Sequence, residues 1–510
     1  MRRPLVIHPF LFALLPVLFL FSHNVEQLSP RVMLAPALVL VAGAFMMWSL
    51  LSLILRDWRR AGLVVTLALL LFFTYGHVSH LAVSPTWTDS GGLRHRHLLA
   101  IWAGLFALGV YASRWARGGL PALTRFLNVA AVVSVAIPLA GIAIYEAKSA
   151  LAPDRSGALR AETEAAKPAG ELPHVYYIIL DEYGGDEILR EMYGHDNGPF
   201  LDSLSQRGFY VARDCRSNYH YSHLALASSL NFEFLSSTAH FRRRIMDNSA
   251  FRVFKRCGYR IVGFSSEISY TDLRNVDVYM GPRWAFNEFQ NQLMNATPLF
   301  LVVSRLSDPA VLHRRHITYT LDHLAEPAKS RKPVFVFAHI LCPHPPFGFE
   351  EDGSPARNLR FLKFDDPAWA ARDADLVEQY KDGYRKQVNF LNRRMTAVID
   401  SILAVSSRPC VIVLQADHGP RTAFYPDNIQ KSYLKERFSI LNALRFPEGD
   451  YSDLYQSISP VNTFRVIFNR YFGTNYQLLE DRSFLTPPEA PTTLLEVTAA
   501  VADSSAVPPR

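Results

Sequence analysis

Asp417-His418-Gly419 closes the apolar run Val411-Ile412-Val413-Leu414. Such a run reads as a strand buried on both faces of a parallel sheet. In open α/β sheets, ligands bind outside the carboxyl ends of the strands. A carboxylate beside an imidazole at such an end suits a divalent cation such as zinc or manganese. Taken alone, the triplet reads equally well as an Asp that caps a turn and a His exposed beside it. Other strands tip the balance. Tyr176-Tyr177-Ile178-Ile179-Leu180 ends in Asp181-Glu182, and Val334 to Leu341 leads to Cys342-Pro343-His344. Arg260 to Phe264 ends in Ser265-Ser266. Separate core strands have no packing reason to share polar ends.

A cation site needs a nucleophile if it is to transfer or hydrolyse an ester. Ser217-Asn218-Tyr219-His220-Tyr221-Ser222 precedes a stretch in which Leu226, Leu230 and Phe234 recur every four residues. Ser222 therefore falls at a helix start, where unpaired amides and the helix dipole favour negative charge. A nearby cation would lower its hydroxyl pKa further. Judged on position alone, a plain helix cap is the better reading. His220 and His223 flank Ser222 and read as competing bases or as simple helix-end polarity. His339 shares a strand face with Phe335 and Phe337 and reads as a core histidine. Glu182 and Arg421 stay open between a supporting role at the site and an exposed one.

The elements that must hold these residues alternate. A helical period runs through 376–404, with Val377, Tyr380, Tyr384, Val388, Leu391, Met395, Val398 and Ile402 at three- and four-residue spacing. Strands alternating with helices predict a mostly parallel sheet, hence an α/β domain. Residues 174–485 read as that domain, 148–173 as a tether rich in Ala, Pro, Glu and Lys, and 486–510 as a frayed tail. No internal repeat is visible.

Residues 1–147 differ in kind. Five apolar runs, about 4–22, 34–55, 62–83, 97–115 and 126–146, approach the roughly 20 residues that span a bilayer. The first lacks a clear cleavage site and reads as a retained helix. With the N-terminus inside, inner segments carry Arg2, Arg3, Arg56, Arg59, Arg60, Arg114, Arg117 and Arg125. Outer loops carry Arg31, Arg94 and Arg96. That asymmetry puts everything after Glu146 outside the cytoplasm. It also accounts for much of the net charge of +7, so the charge is no nucleic-acid footprint and no nucleic-acid partner is expected. The spans contain few charges, which argues against a transporter. The triplet Arg242-Arg243-Arg244 reads as a solvated face. Cys215, Cys257, Cys342 and Cys410 match no zinc spacing. Cys215–Cys257 is a possible bridge in an oxidising compartment, and Cys410 reads as a small apolar residue of a strand.

From about 174 to 425 the chain resembles the alkaline phosphatase superfamily, in its sulfatase-like branch. The resemblance rests on Val175 to Gly184, Ser217 to Asn231, Phe337 to Phe347 and Gln415 to Gly419, in that order. It implies Asp181, Asp417 and His418 as ligands of one divalent metal ion, zinc or manganese. It implies Ser222 as nucleophile and fourth ligand, where the family often has Thr. It implies His344 as the residue that touches the substrate phosphate or protonates a leaving group. The Cys/Ser-x-Pro-x-Arg motif of the formylglycine sulfatases does not occur around Ser222-His223-Leu224-Ala225-Leu226, which puts sulfate-ester hydrolysis in doubt. A membrane anchor before such a domain is similar to lipoteichoic acid synthases and phosphoethanolamine or phosphoglycerol transferases. The expectation is a multi-pass inner-membrane enzyme with its catalytic domain on the periplasmic side. It would pass a phospholipid head group through phospho-Ser222 to an envelope glycan or lipid. The rivals are a hydrolase on the same site and a non-catalytic envelope-binding protein.

Overall fold

The computed structural model describes residues 4–82, 94–115, 120–151, 166–168, 170–283, 287–306, 309–357, 374–426 and 428–503. Most of the expected tether (152–165), the end of the tail (504–510) and Arg117 lie outside them. The chain divides into two compact units, Met1–Ala152 with Phe286–Asp308, and Pro153–Ala285 with Pro309–Arg510.

The first unit contains α1 (His8–His23), α2 (Leu34–Leu55), α3 (Trp58–Ala82), α4 (His95–Trp115) and α5 (Leu120–Leu151). Four of these are long and apolar enough to cross a membrane. The first, with 16 residues, is shorter, where the sequence predicts a fifth span. Leu38, Leu53 and Phe126 stay exposed, the arrangement of helices meant to face lipid. The helix Glu288–Asn295 belongs here too. It opens with a capping box between Asn287 and Gln290 and buries Phe289 against Val17, Phe21 and Leu28. Gly76 lets its end come close: its amide donates to Ala296 O at 2.9 Å, and a Cβ there would lie 2.1 Å from Asn295 O.

The second unit is an α/β domain, as the apolar runs predict. Among the described residues, the seven strands of its main sheet are β1 (His174–Leu180), β2 (Tyr210–Val211), β3 (Arg260–Phe264), β4 (Val278–Met280), β5 (Val334–Ile340), β6 (Cys410–Gln415) and β7 (Asn442–Arg445). They lie in the order β2-β7-β6-β1-β5-β3-β4. The run β6-β1-β5-β3-β4 is parallel; β7 and β2 add an antiparallel edge. β1, β5 and β6 are buried along their whole length, which is why they read as unbroken apolar runs. The helix Ala374–Val405 buries Tyr380, Tyr384, Val388, Leu391, Met395, Val398 and Ile402, the face its period predicts.

Three expectations change. All four cysteines are free thiols, so Cys215 and Cys257 form no bridge. Within the arginine triplet, Arg242 is buried and Arg244 pairs with Glu233 at 2.7 Å. The described part of the tail is ordered: Leu495–Glu496 pairs with Phe484–Leu485, and Val497 and Val501 pack on Phe438.

Candidate active site and metal centre

β1 is the central strand, and its neighbours decide what meets at its end. Ile179 is in register with Gln415 of β6 and with His339 of β5. Two residues beyond Ile179 and Gln415, Asp181 and Asp417 therefore leave adjacent parallel strands side by side. His339 reaches the same place from the third strand. Its Nε2 lies 3.2 Å from Asp181 Oδ2 and 3.9 Å from Asp417 Oδ2. His339 is thus no passive core residue. Its Nδ1 is tied to Thr271 Oγ1 at 2.9 Å, which aims Nε2 at the carboxylates.

His418 closes the group. Its Nε2 lies 3.5 Å from Asp417 Oδ2 and 3.8 Å from Asp181 Oδ1. Its Nδ1 donates to Gly419 O at 3.2 Å, leaving Nε2 as the bare lone pair. Ser222 Oγ approaches that lone pair at 3.1 Å. Ser222 is the first residue of the helix Ser222–Ser229, whose N-cap position is Tyr221. The hydroxyl is turned to the site. His220 and His223 make poor competing bases, since burial lowers them to about 3 and about 4.

His344 and Glu182 form a second flank. His344 Nε2 lies 3.2 Å from Glu182 Oε2, and its amide donates to Asp181 O at 3.1 Å. Glu182 is buried, with a left-handed φ of 65°. This sparsely populated conformation is held by the long helix: Tyr384 OH donates to Glu182 O at 2.8 Å and Tyr380 OH to Oε1 at 2.6 Å. Arg421 Nε stands 3.7 Å from Glu182 Oε1.

Sequence reasoning missed two residues of the short helix Leu434–Phe438. Arg437 is buried and donates from Nε to His220 O at 2.9 Å and from Nη1 to Gly419 O at 2.7 Å. Its Nη2 lies 3.2 Å from His418 Nε2. Buried Glu436 accepts from Tyr193 OH at 2.7 Å, Thr422 N at 2.9 Å and Ala423 N at 2.6 Å. Together they pin the loop that carries Asp417, His418 and Arg421. Gly419 permits the contact, because a Cβ there would fall 2.1 Å from Glu436 O. In Lys435-Glu436-Arg437 the only available signal is a charge run, which ordinarily marks a solvated face.

The donor set fits a divalent cation. Asp181 and Asp417 are both essentially inaccessible. Among the described residues, neither oxygen of Asp181 has a hydrogen-bond partner, nor does Asp417 Oδ2 or His339 Nε2. Unpaired buried carboxylates are costly, and a cation between them offsets that cost. Asp181, His339 and Asp417 bring ligand atoms within 4.8 Å of one another, as do Asp181, Glu182 and His344. Electrostatics agree. Burial and the Asp181 charge push the Asp417 carboxyl up. Burial would also raise Asp181, but His344, His339 and His418 outweigh it and hold it low. Burial lowers His339, and the Asp181 contact and both carboxylate charges more than reverse that. Burial, then Arg437, keeps His418 neutral, the state in which imidazole binds a metal.

His339→Leu separates a ligand from a core residue. A core histidine replaced by Leu leaves cation affinity alone, whereas we expect zinc affinity, read by calorimetry, to fall at least about tenfold. Unchanged affinity would return His339 to the core.

No family model and no curated protein matches the chain. Among solved structures, it is similar to the C-terminal periplasmic domain of EcEptC from Escherichia coli. That match has 15% identity over 65% of this chain and 94% of that one, with a TM-score of 0.43. It is also similar to the integral membrane lipooligosaccharide phosphoethanolamine transferase A (EptA) from Neisseria meningitidis, at 14% identity over 90% of this chain and 94% of that one, with a TM-score of 0.38. A third is the phosphonate monoester hydrolase of Agrobacterium radiobacter, at 13% identity over 61% of this chain and 80% of that one, with a TM-score of 0.40.

Proposed function

We propose that the chain is a metal-dependent phosphotransferase of the cell envelope. It would move a phospholipid-derived phospho-head group, of the phosphoethanolamine or phosphoglycerol class, to an envelope glycan or lipid. The observation that carries this reading is the meeting of Ser222 Oγ with a buried group of two carboxylates and two imidazoles at the ends of three parallel strands.

Asp181, Asp417 and His418, with Ser222, are the ligand set we assign, and His339 joins them. When bound, a divalent cation such as zinc or manganese lowers the hydroxyl pKa and neutralises phosphoryl oxygens. Ser222 Oγ attacks the donor phosphorus as the phosphorus–oxygen bond to the diacylglycerol breaks. His344, which burial keeps neutral ahead of the opposing pull of Asp181 and Glu182, holds the phosphate or takes up the proton that Ser222 gives up and passes it to the departing oxygen. An acceptor hydroxyl or amine then attacks phospho-Ser222 and restores the serine. Glu182, Tyr380 and Arg421 keep His344 oriented.

The test uses the purified full-length protein, vesicles of head-group-labelled phospholipid and a divalent metal. Label should pass to an added envelope acceptor and stop with chelation. Release into water alone, unaffected by acceptor, would favour the hydrolase. Metal-independent silence toward every phosphodiester would favour a binding protein.

For localisation, we propose an inner-membrane anchor with the α/β domain on the periplasmic side. Reporter fusions after Glu146 are expected to be active only in the outer compartment. This requires α1 to cross as a fifth span, because four spans would return the domain to the side of the N-terminus. Cytoplasmic reporter activity would overturn both orientation and localisation.

A further inference from the structure

β3 ends in Ser265-Ser266, the polar strand end that the site described above does not use. The chain from there to β4 forms a well-bonded loop. Ser265 N donates to Met280 O at 2.7 Å. The Asp272 carboxylate accepts from Ser266 N at 3.3 Å, from Tyr279 OH at 2.6 Å and from Arg274 Nε at 2.7 Å. A turn inside the loop brings Thr271 N and Asp272 N onto Ile268 O, at 3.1 and 3.0 Å. This turn presents the fully buried Thr271 hydroxyl to Nδ1 of His339, on the adjacent strand β5.

The direction of that last bond follows from the hydrogens at hand. A threonine hydroxyl has one hydrogen to give and two lone pairs to offer. Among the described residues, Thr271 Oγ1 has three partners: His339 Nδ1 at 2.9 Å, Ser266 Oγ at 2.9 Å and Ile268 O at 3.1 Å. Both lone pairs of Ile268 O are already taken by the two amides of the turn. The Thr271 hydrogen therefore goes to Ser266 Oγ, and the Thr271 oxygen accepts from His339 Nδ1. With its hydrogen on Nδ1, the ring can present a bare Nε2. The reverse bond, with Thr271 donating to Nδ1, would put the ring hydrogen on Nε2, facing Asp181, where it would keep a cation off that nitrogen.

We propose that Thr271 is a positioning residue of the metal centre. Its hydroxyl, held by the Ser266 end of β3, keeps the His339 hydrogen on Nδ1 and leaves Nε2, 3.2 Å from Asp181 Oδ2, to bind a cation. This rests on His339 being a ligand and names the residue that makes it one. Loss of the hydroxyl leaves a buried Nδ1 with no acceptor, and the ring then gives up either its orientation or its tautomer.

Calorimetry with zinc on the full-length protein would compare the wild type with Thr271→Val, Thr271→Ser, Thr271→Ala and His339→Leu. Thr271→Val keeps the shape and removes the hydroxyl, and zinc affinity should fall about 10- to 100-fold, as when a metal-bound histidine loses its outer partner. Thr271→Ser restores the hydroxyl and should stay close to the wild type, whereas Thr271→Ala should fall with Thr271→Val. A hydroxyl that only packs the loop would lower the unfolding temperature and leave zinc affinity alone. The visible spectrum of the cobalt-loaded protein is the second readout. Thr271→Val should shift its bands toward those of His339→Leu, and Thr271→Ser should keep those of the wild type. Zinc affinity that is unchanged in Thr271→Val, or that falls as far in Thr271→Ser, would overturn the role of Thr271 while His339→Leu still weakens zinc. Unchanged affinity in His339→Leu would instead sink the ligand reading, and the role of Thr271 with it. If Thr271→Val does not fold, Thr271→Ser against Thr271→Ala decides: tighter zinc binding by the serine variant supports the role, and equal binding rejects it.

Discussion

Purified Ser222→Ala is expected to lose head-group transfer by at least on the order of 10³-fold in kcat, with the metal retained and the fold intact. The residue sits where an attacking oxygen must be, at a helix start and 3.1 Å from His418 Nε2. Because the N-cap position is Tyr221, the truncation should cost no more than the roughly 0.5–2 kcal/mol of a lost cap. Ser222→Thr should keep part of the activity, because it keeps a hydroxyl in the same place. Ser222→Asn should keep almost none, although Asn caps helices at least as well as Ser. Measuring kcat and thermal unfolding on the same three variants separates chemistry from structure. Full turnover in Ser222→Ala would reject the nucleophile. Ser217 would be a poor replacement, since its Oγ is buried against the carbonyls of Tyr219 and Asp417.

How far this site could be read from the sequence depended on burial. β1, β5 and β6 are covered on both faces, so their sequences are apolar without interruption and their polar ends stand out. Asp181, Asp417, His418 and His344 were visible for that reason. His339 was not, because a histidine inside an apolar strand has the same signature whether it meets the core or a carboxylate. Only the register of β5 on β1 tells the two apart. The antiparallel edge was also hidden: β2 has two residues and β7 four, too few for a period. Glu436 and Arg437 were hidden by the opposite effect. They are buried polar residues flanked by Lys435 on a five-residue helix, and their partners are backbone atoms of a loop that is distant in sequence. The return of Phe286–Asp308 to the helical unit depends on tertiary contacts such as Phe289 on Val17, which leave no local mark.

Asp417→Ala should abolish the thermal stabilisation that zinc or manganese gives the full-length protein. At a metal concentration 100 times Kd, the wild type gains about 2.7 kcal/mol; the variant should gain almost nothing while keeping its far-ultraviolet circular dichroism. The response also has a direction in pH. Burial and the Asp181 charge raise Asp417 from 3.8 to about 7 in the folded, metal-free chain. A group raised on folding binds its proton more tightly in the folded state. Its contribution to stability is therefore complete below about 3.8 and is lost as pH rises through about 7. Asp181, held low by three imidazoles against its own burial, contributes in the opposite sense and is lost only in acid. A metal must displace the Asp417 proton, so the metal-induced rise in Tm should be larger at pH 8 than at pH 6. In Asp417→Ala, metal-free stability should no longer fall across that interval, because the buried like-charge pair is gone. A metal response that is equal at both pH values, or that survives in Asp417→Ala, would mean that the two aspartates do not share one cation.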